Sequence, residues 1–403
     1  MAGQGVGLVL QAINFMVLAR LLGVLQYGIF AGAFAFTSLV AVYGTLGTGT
    51  VLMRYVCGDH TKFPAYWGNI ILTSACVSGL LVFALHFLGR HLLNPSSSAL
   101  VILAAIANCF FAPLTAEAGR VFQAFDKMRI TAILNLLTSL MRTLASVGML
   151  LTVRHASAWQ WAFVSMAISG IAAAISVGTV TVQLGLPKFR PGLFLKHGME
   201  GFGYSIAWSS AAAYNNLDKA MLSHYGMNVS NGIYSMAYRI VDITTLPINS
   251  IREAALPRLF QSGRSGLAAA NELSHRLMKR TFLIGVLAAV GMYVTAPFIS
   301  WIAGSGFAES AAALRWLCLI PVFRSIHLMT GITLLGAGLQ RYRTVAQLAA
   351  AGMNFAINLW LIPRYGWLGA AWSSLATEGA LVVMYWMLLR VLTLKTHFIE
   401  GGA

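Results

Sequence analysis

Charge is so scarce in this chain, at 9% Asp, Glu, Lys and Arg against 58% apolar residues, that no water-facing shell can be drawn around it. Soluble domains carry about 25% charged residues. A soluble enzyme, a disordered tail and a secreted disulfide scaffold are thereby excluded. A membrane-crossing helix needs roughly 20 apolar residues for a hydrocarbon core of ~30 Å, and runs of that length recur throughout the 403 residues, broken by charge, Gly or Pro. They place spans near 3–22, 28–52, 66–88, 99–119, 130–152, 158–184, 201–222, 231–256, 281–302, 311–336, 343–362 and 367–390. The expected fold class is an all-α polytopic membrane protein with about twelve transmembrane helices.

The formal net charge of +16 does not point to nucleic acid, because the basic residues punctuate the apolar runs instead of forming one soluble face. Cytoplasmic loops collect Lys and Arg. With both termini inside, that side holds Arg54, Lys62, Arg120, Lys127, Arg129, Lys188, Arg190 and Lys196 in the first half. In the second half it holds Arg258, Arg264, Arg276, Lys279, Arg280, Arg341, Arg343, Arg390 and Lys395. The opposite side holds Arg20, Arg90, Arg154 and Arg364. This asymmetry predicts a multi-pass membrane protein with both termini cytoplasmic. Met1 and the residues after it carry no basic leader or small-residue cleavage site. The first span is the weakest, since the chain begins almost inside it.

Near the midpoint lies a polar stretch with two prolines and three firm positive charges, GLPKFRPGLFLKHGME at 185–200. It divides the chain into an N-terminal six-helix bundle, 1–184, and a C-terminal one, 201–403. Two echoes support a duplication in parallel orientation. Tyr27-Gly28-Ile29-Phe30 returns as Asn231-Gly232-Ile233-Tyr234, offset by 204 residues, and the basic turn at Lys127 and Arg129 returns at Arg341 and Arg343, offset by 214.

An ionisable side chain at mid-bilayer costs at least ~2.5–3.5 kcal/mol on insertion scales, so each requires a reason. The deepest are Arg142, Arg239, Asp242, Arg324 and Glu378, with His327 near Arg324. Arg239 and Asp242, three apart on one helix face, either neutralise each other or line a cavity. Arg142 has no acid within a turn and needs a partner from another helix, water or a ligand. Arg324 and Arg315 are half a turn out of phase, which turns Arg324 inward and Arg315 toward headgroups unless Pro321 bends the helix. Asp218 and Lys219, toward the outer end of their span, read as snorkelling residues; Glu117 falls near the inner end of its own. Guanidinium groups on an aqueous wall suit phosphate or another anion. Prolines at 113, 247, 297 and 321 suit helices that bend, line a cavity or simply carry a static kink.

Several chemistries are missing. No G-x-x-x-x-G-K-[ST] phosphate loop occurs, and GTLGTG at 44–49 reads as a helix terminus. There is no H-E-x-x-H, and Cys57, Cys76, Cys109 and Cys318 have no metal-binding spacing. No metal, cofactor or catalytic residue is expected. Asn228-Val229-Ser230 fits a glycosylation sequon on a very short loop.

Three segments carry a family resemblance: LARLLGVLQYGIFAGAFAFTSLV at 18–40, YSMAYRIVDITTLPINSIREAALPRLF at 234–260, and NFAINLWLIPRYGWLGAAWSSLATE at 354–378. The chain resembles the polysaccharide-exporter branch of the multidrug/oligosaccharidyl-lipid/polysaccharide superfamily, whose Wzx-like members are O-antigen and capsule-repeat flippases. The resemblance implies two six-helix bundles in a V around a central cavity. It also implies alternating access that moves an undecaprenyl-diphosphate-linked oligosaccharide from the inner to the outer leaflet. Its implied partners are that lipid-linked substrate, membrane lipids, a coupling ion (proton or sodium), and a polysaccharide polymerase with its glycosyltransferases. Arg142, Arg239 and Arg324 are then candidates for the diphosphate or for acidic sugars, chosen by depth and not by motif. Glu378 lies in a matching motif without an assigned role. The N-terminus departs from the pattern, being a dozen or more residues shorter than is usual in the family. Two other readings stand beside the flippase: a cation-coupled multidrug exporter of the same superfamily, which favours acids over arginines in its cavity, and a membrane-embedded glycan polymerase or ligase, which usually needs a large outer loop.

Overall fold

The computed structural model describes residues 2–153, 156–264 and 266–400. Arg154 lies outside them, as do the side chains of Arg264 and Lys395. Among the described residues all regular structure is helical, and eight helices are long and apolar enough to cross a membrane, nine if one bent pair forms a single span. The chain is a multi-pass, all-α membrane protein. It separates into two compact units, 1–232 and 233–403.

The first unit contains α1 (Ala2–Ser38), α2 (Thr48–Val56), α3 (Phe63–Leu92), α4 (Ala112–Ala124), α5 (Met128–Thr152), α6 (Ala158–Leu184), α7 (Pro191–His224) and the start of α8 (Asn228–Arg264). Gly23 leaves the helical region inside α1 (φ 67°, ψ 172°) and divides it into two arms, which correspond to the first expected span and the start of the second. The rest of that second span is not one helix. A 3-10 turn over Ala41–Thr45 and left-handed residues Leu46 and Gly47 separate α1 from α2. The GTLGTG segment therefore interrupts a span from within. A short helix at Val101–Ala105 and a π turn at Ile106–Phe111 lead into α4, with Pro113 in its first turn. Ser157 opens α6 with a capping box: its hydroxyl accepts from the Gln160 amide while the Gln160 side chain accepts from the Ser157 amide.

The core of this unit gathers Trp67, Phe63 and Ile70 of α3 against Leu52, Val56, Val121 and Phe122. Opposite faces of the same helices expose Leu80, Phe83 and Val182, as helices bathed in lipid require. Apolar attraction does not draw helices together in lipid, so close backbone approach replaces it. Gly28 shows this. A Cβ there would overlap the carbonyl oxygen of Asn228 and approach the amide of Gly232, and a Cβ on Gly232 would overlap the carbonyl oxygen of Val24. The two glycines of the repeated N/Y-G-I-F/Y echo thus meet at one crossing, which Asn231 Nδ2 braces by donating to the Gly28 carbonyl at 3.1 Å. Asn228 of the sequon is half-buried and hydrogen-bonded to Asn94. Asp218 is only 1% exposed, so it does not snorkel as the sequence suggested; its carboxylate is inside the protein.

In the second unit α8 continues, followed by α9 (Leu267–Thr295), α10 (Ala308–Leu317), α11 (Ile320–Gly336), α12 (Gln340–Tyr365) and α13 (Trp367–Glu400). The expected span at 311–336 is broken: the helix preceding Leu317 and α11 meet at 44°, with Pro321 in the first turn of α11. α11 packs on α9 and α13, and α12 packs on α13. Ile248, Leu259, Ala270, Met329 and Ile332 form the core under α8, α9 and α11. Helices α7 and α8, at 34 and 37 residues, cover the expected spans 201–222 and 231–256 but are too polar to count among the eight.

Candidate functional site

The second unit brings four of the predicted residues into one cluster. The bend before α11 directs Arg324, only 7% exposed, between α8 and α13. Its Nε donates to Glu378 Oε1 at 2.9 Å, one terminal nitrogen donates to Asp242 Oδ1 at 3.3 Å, and the other donates to the Tyr238 hydroxyl at 2.7 Å. The guanidinium also lies 5.5 Å from the Tyr238 ring centroid, within cation–π range. One turn further along α11, His327 Nε2 meets the other Glu378 oxygen at 2.6 Å.

Helical spacing explains the convergence. Tyr234, Tyr238 and Asp242 stand four apart on α8, so they share one face. Ser374 and Glu378 do the same on α13. Tyr234 bonds Ser374 at 2.8 Å, one turn from the contacts of Tyr238 and Glu378 with Arg324. Further along the α12–α13 seam Asn354 donates to Ser373 and Thr377, and Asn358 donates to Asn354. The interior of this unit is thus a polar seam within an apolar bundle. Such seams in membranes mark substrate or ion pathways.

The cluster has a closed end and an open end. The Glu378 side chain is 2% exposed and that of Asp242 is 42% exposed. Arg324 shares one positive charge between two carboxylates, and its link to the accessible one is the longest of the three bonds just described. Removing one partner from a buried pair leaves an uncompensated charge and is far costlier than the net worth of the pair.

The remaining candidates lie elsewhere. Arg239 is exposed and makes no ion pair with Asp242, which pairs with Arg324 instead, so of the two readings open for Arg239 and Asp242 mutual neutralisation is the one that fails. The buried face of α8 runs through Tyr238, Val241 and Thr245, so Asp242 leans toward α11 while Arg239 points away. Arg142 belongs to the first unit, where it is half-buried on α5 and donates to Ser169 Oγ of α6 at 3.1 Å. Arg315 is exposed, with its guanidinium 5.4 Å from the Tyr293 ring, in the outward orientation its phase predicted. Tyr238 and Tyr234 are neutral at physiological pH, so charge at depth does not mark them; their four-residue spacing ahead of Asp242 is the available signal. Among the described residues no cluster of three His, Cys, Asp or Glu side chains is arranged to hold a metal.

The profile of a family described as polysaccharide biosynthesis protein matches residues 1–262. No curated protein matches the chain in sequence. Solved structures do match in fold. A lipid II flippase, MurJ, in an inward closed conformation aligns with a TM-score of 0.76 at 11% identity, over 96% of this chain and 87% of that one. An inward-facing multidrug resistance MATE family transporter of the MOP superfamily aligns at 0.74 and 12% identity, over 96% and 95%. The MATE multidrug transporter DinF-BH aligns at 0.64 and 15% identity, over 98% and 93%. At such identities the likeness is one of fold.

Proposed function

Because the chain belongs to the polysaccharide biosynthesis protein family, we propose that it is a flippase moving undecaprenyl-diphosphate-linked oligosaccharide from the inner to the outer leaflet of the bacterial cytoplasmic membrane. The family match carries this reading. The fold, shared with a lipid II flippase, agrees with it. Transport and not catalysis is its task, and the polymerase or ligase alternative falls away with that. In this reading both termini are cytoplasmic, 1–184 and 201–403 are the two repeats, 185–200 links them, and alternating access carries the substrate.

Arg142 in the first unit and Arg324 in the second are each a cationic group offered to the diphosphate or to acidic sugars. Arg324 meets it by exchange: a phosphate oxygen replaces Asp242, which is solvent-accessible and held at 3.3 Å, while Glu378 and Tyr238 keep the guanidinium aligned for paired hydrogen bonds. The protein supplies orientation and a changing partner for one charge.

The test is genetic and biochemical. Deleting the gene from its host removes surface polysaccharide and leaves the lipid-linked repeat in the inner leaflet; unchanged outer-leaflet delivery rejects the proposal. At equal membrane abundance, Arg142→Ala and Arg324→Ala lower export by about tenfold or more, the loss of a charge-assisted pair of roughly 1.5–3 kcal/mol, whereas Arg315→Ala does not. Equal tolerance at all three positions removes the assignment.

A second reading, the cation-coupled multidrug exporter, gains support from one observation: around Arg324 two acids face one arginine. Drug-resistance profiling of an overexpressing strain separates the two, since this reading expects raised resistance and unaltered surface glycan in the deletion.

A further inference from the structure

A half-open cavity of about 510 Å³ lies in the second unit, lined by Asn271 and His275 of α9 and by Trp386, Leu389, Arg390 and Thr393 of α13. Its level in the membrane follows from the two helices, which both pack on α11. The apolar span of α9 begins at Ala270 and that of α13 ends at Thr393. The lining residues therefore sit within two turns of where each span leaves the hydrocarbon, on one side of the bilayer. Trp386 suits that level, because an indole ring is apolar and its N–H is not.

Charge at this cavity has one sign. Arg390 is exposed, and its guanidinium lies over the Trp386 ring, 3.8 Å from the centroid. A guanidinium held by its face keeps the N–H groups of its edge for donation. Among the described residues no carboxylate takes them. The one acid of α9, Glu272, is outside the lining and pairs with Arg276 at 2.9 Å. Glu378 of α13 is buried against Arg324 and His327. His275 is exposed and Asn271 half-buried, and both side chains offer neutral donors to the same space. Lys279, also exposed, follows His275 by four residues on one face of α9.

This wall selects its ligand. A cation meets Arg390 and finds no carboxylate in the lining. A wholly apolar molecule covers Arg390, His275 and Asn271 without satisfying them. A phosphate satisfies them, because two of its oxygens accept paired hydrogen bonds from one guanidinium. The membrane is its source. Seven residues toward the bilayer middle, about two helical turns, the same faces continue as exposed apolar surface, with Phe282 on α9 and Val383 on α13; an acyl chain below the phosphate has these to lie against. We propose that the cavity binds the phosphate of an anionic phospholipid whose headgroup carries no ammonium, with Arg390 as the phosphate-binding group and Trp386 fixing its orientation. Basic pockets between membrane helices take such headgroups. The inference rests on the membrane-spanning fold and not on the flippase reading.

The experiment is native mass spectrometry of the purified full-length chain in detergent, titrated with phosphatidylglycerol or with phosphatidylcholine of the same acyl chains. Phosphatidylglycerol binds about fivefold more tightly, the effect of one basic residue at an anionic lipid surface. Arg390→Ala removes this preference. Arg276→Ala, which takes away an exposed arginine outside the cavity, keeps it. Should Arg390→Ala unfold early, Arg390→Gln, whose stem still covers Trp386, gives the same loss in a folded chain. Excess inorganic phosphate does not displace the lipid. Four results overturn the proposal: no preference in the unaltered chain, a preference that survives both Arg390 variants, an equal loss in Arg276→Ala, or displacement by inorganic phosphate, which marks a site for the free ion. Undecaprenyl phosphate serves as a further probe. If its binding falls with Arg390→Ala while that of phosphatidylglycerol does not, the cavity belongs to an isoprenoid carrier and the phospholipid assignment is lost.

Discussion

Replacing Glu378 by Ala lowers the stability of the second unit by about 3–5 kcal/mol, the loss expected when a buried ion pair is broken from one side. The carboxylate receives Arg324 on one oxygen and His327 on the other, so its removal takes away the buried acceptor of both and leaves the 7% exposed guanidinium to the more distant, solvent-accessible Asp242. Glu378→Gln keeps the shape and an acceptor for Arg324, and its loss is smaller. The double variant Arg324→Met with Glu378→Met, which replaces both charges by apolar volume, is more stable than either single variant. Denaturant or thermal unfolding in detergent checks the series. A double variant no better than the singles shows that the charges do not act as a pair.

The second large effect concerns a contact with no side chain on either face. Gly28→Leu destabilises the first unit by roughly 3 kcal/mol, the upper part of the usual overpacking range, because any Cβ there overlaps the Asn228 carbonyl oxygen and crowds the Gly232 amide. Gly28→Ala shows a smaller loss of the same sign. Gly79→Ala on α3 is the comparison: nothing lies within 4 Å of its new Cβ, and the helix gains from losing a glycine. Unfolding midpoints of the three variants provide the check. Equal midpoints for the Gly28 and Gly79 variants mean that the crossing is looser than described.

Most of the helical organisation was legible because lipid imposes a simple grammar: long apolar runs, sparse charge, and basic residues at the breaks. Every expected span falls on a helix or a broken helix. The breaks themselves were less legible. Pro321 foretold the bend at α11, but the π turn before Pro113 and the left-handed Leu46 carry no motif. Burial of Arg324 followed from counting depth, whereas its partners lie 54 and 82 residues away, beyond the reach of any local rule. The local rule misled at Arg239 and Asp242, since spacing of three shows that two side chains are neighbours but not which way a third helix draws one of them. The depth of Glu117 is legible but its partner is not, since Thr45 lies 72 residues away, beside the left-handed break at Leu46 and Gly47.

The placement of Arg324 also bears on how the chain is made. When α11 leaves the ribosome, Glu378 has not been synthesised, and the arginine enters the translocon with an isolated-charge penalty of ~2.5–3.5 kcal/mol. The acid already in place is Asp242, on a helix inserted 82 residues earlier. Of the two carboxylates that hold the guanidinium, Asp242 therefore precedes it in the chain and Glu378 follows it by 54 residues, so the cluster is complete only once α13 has joined α8 and α11.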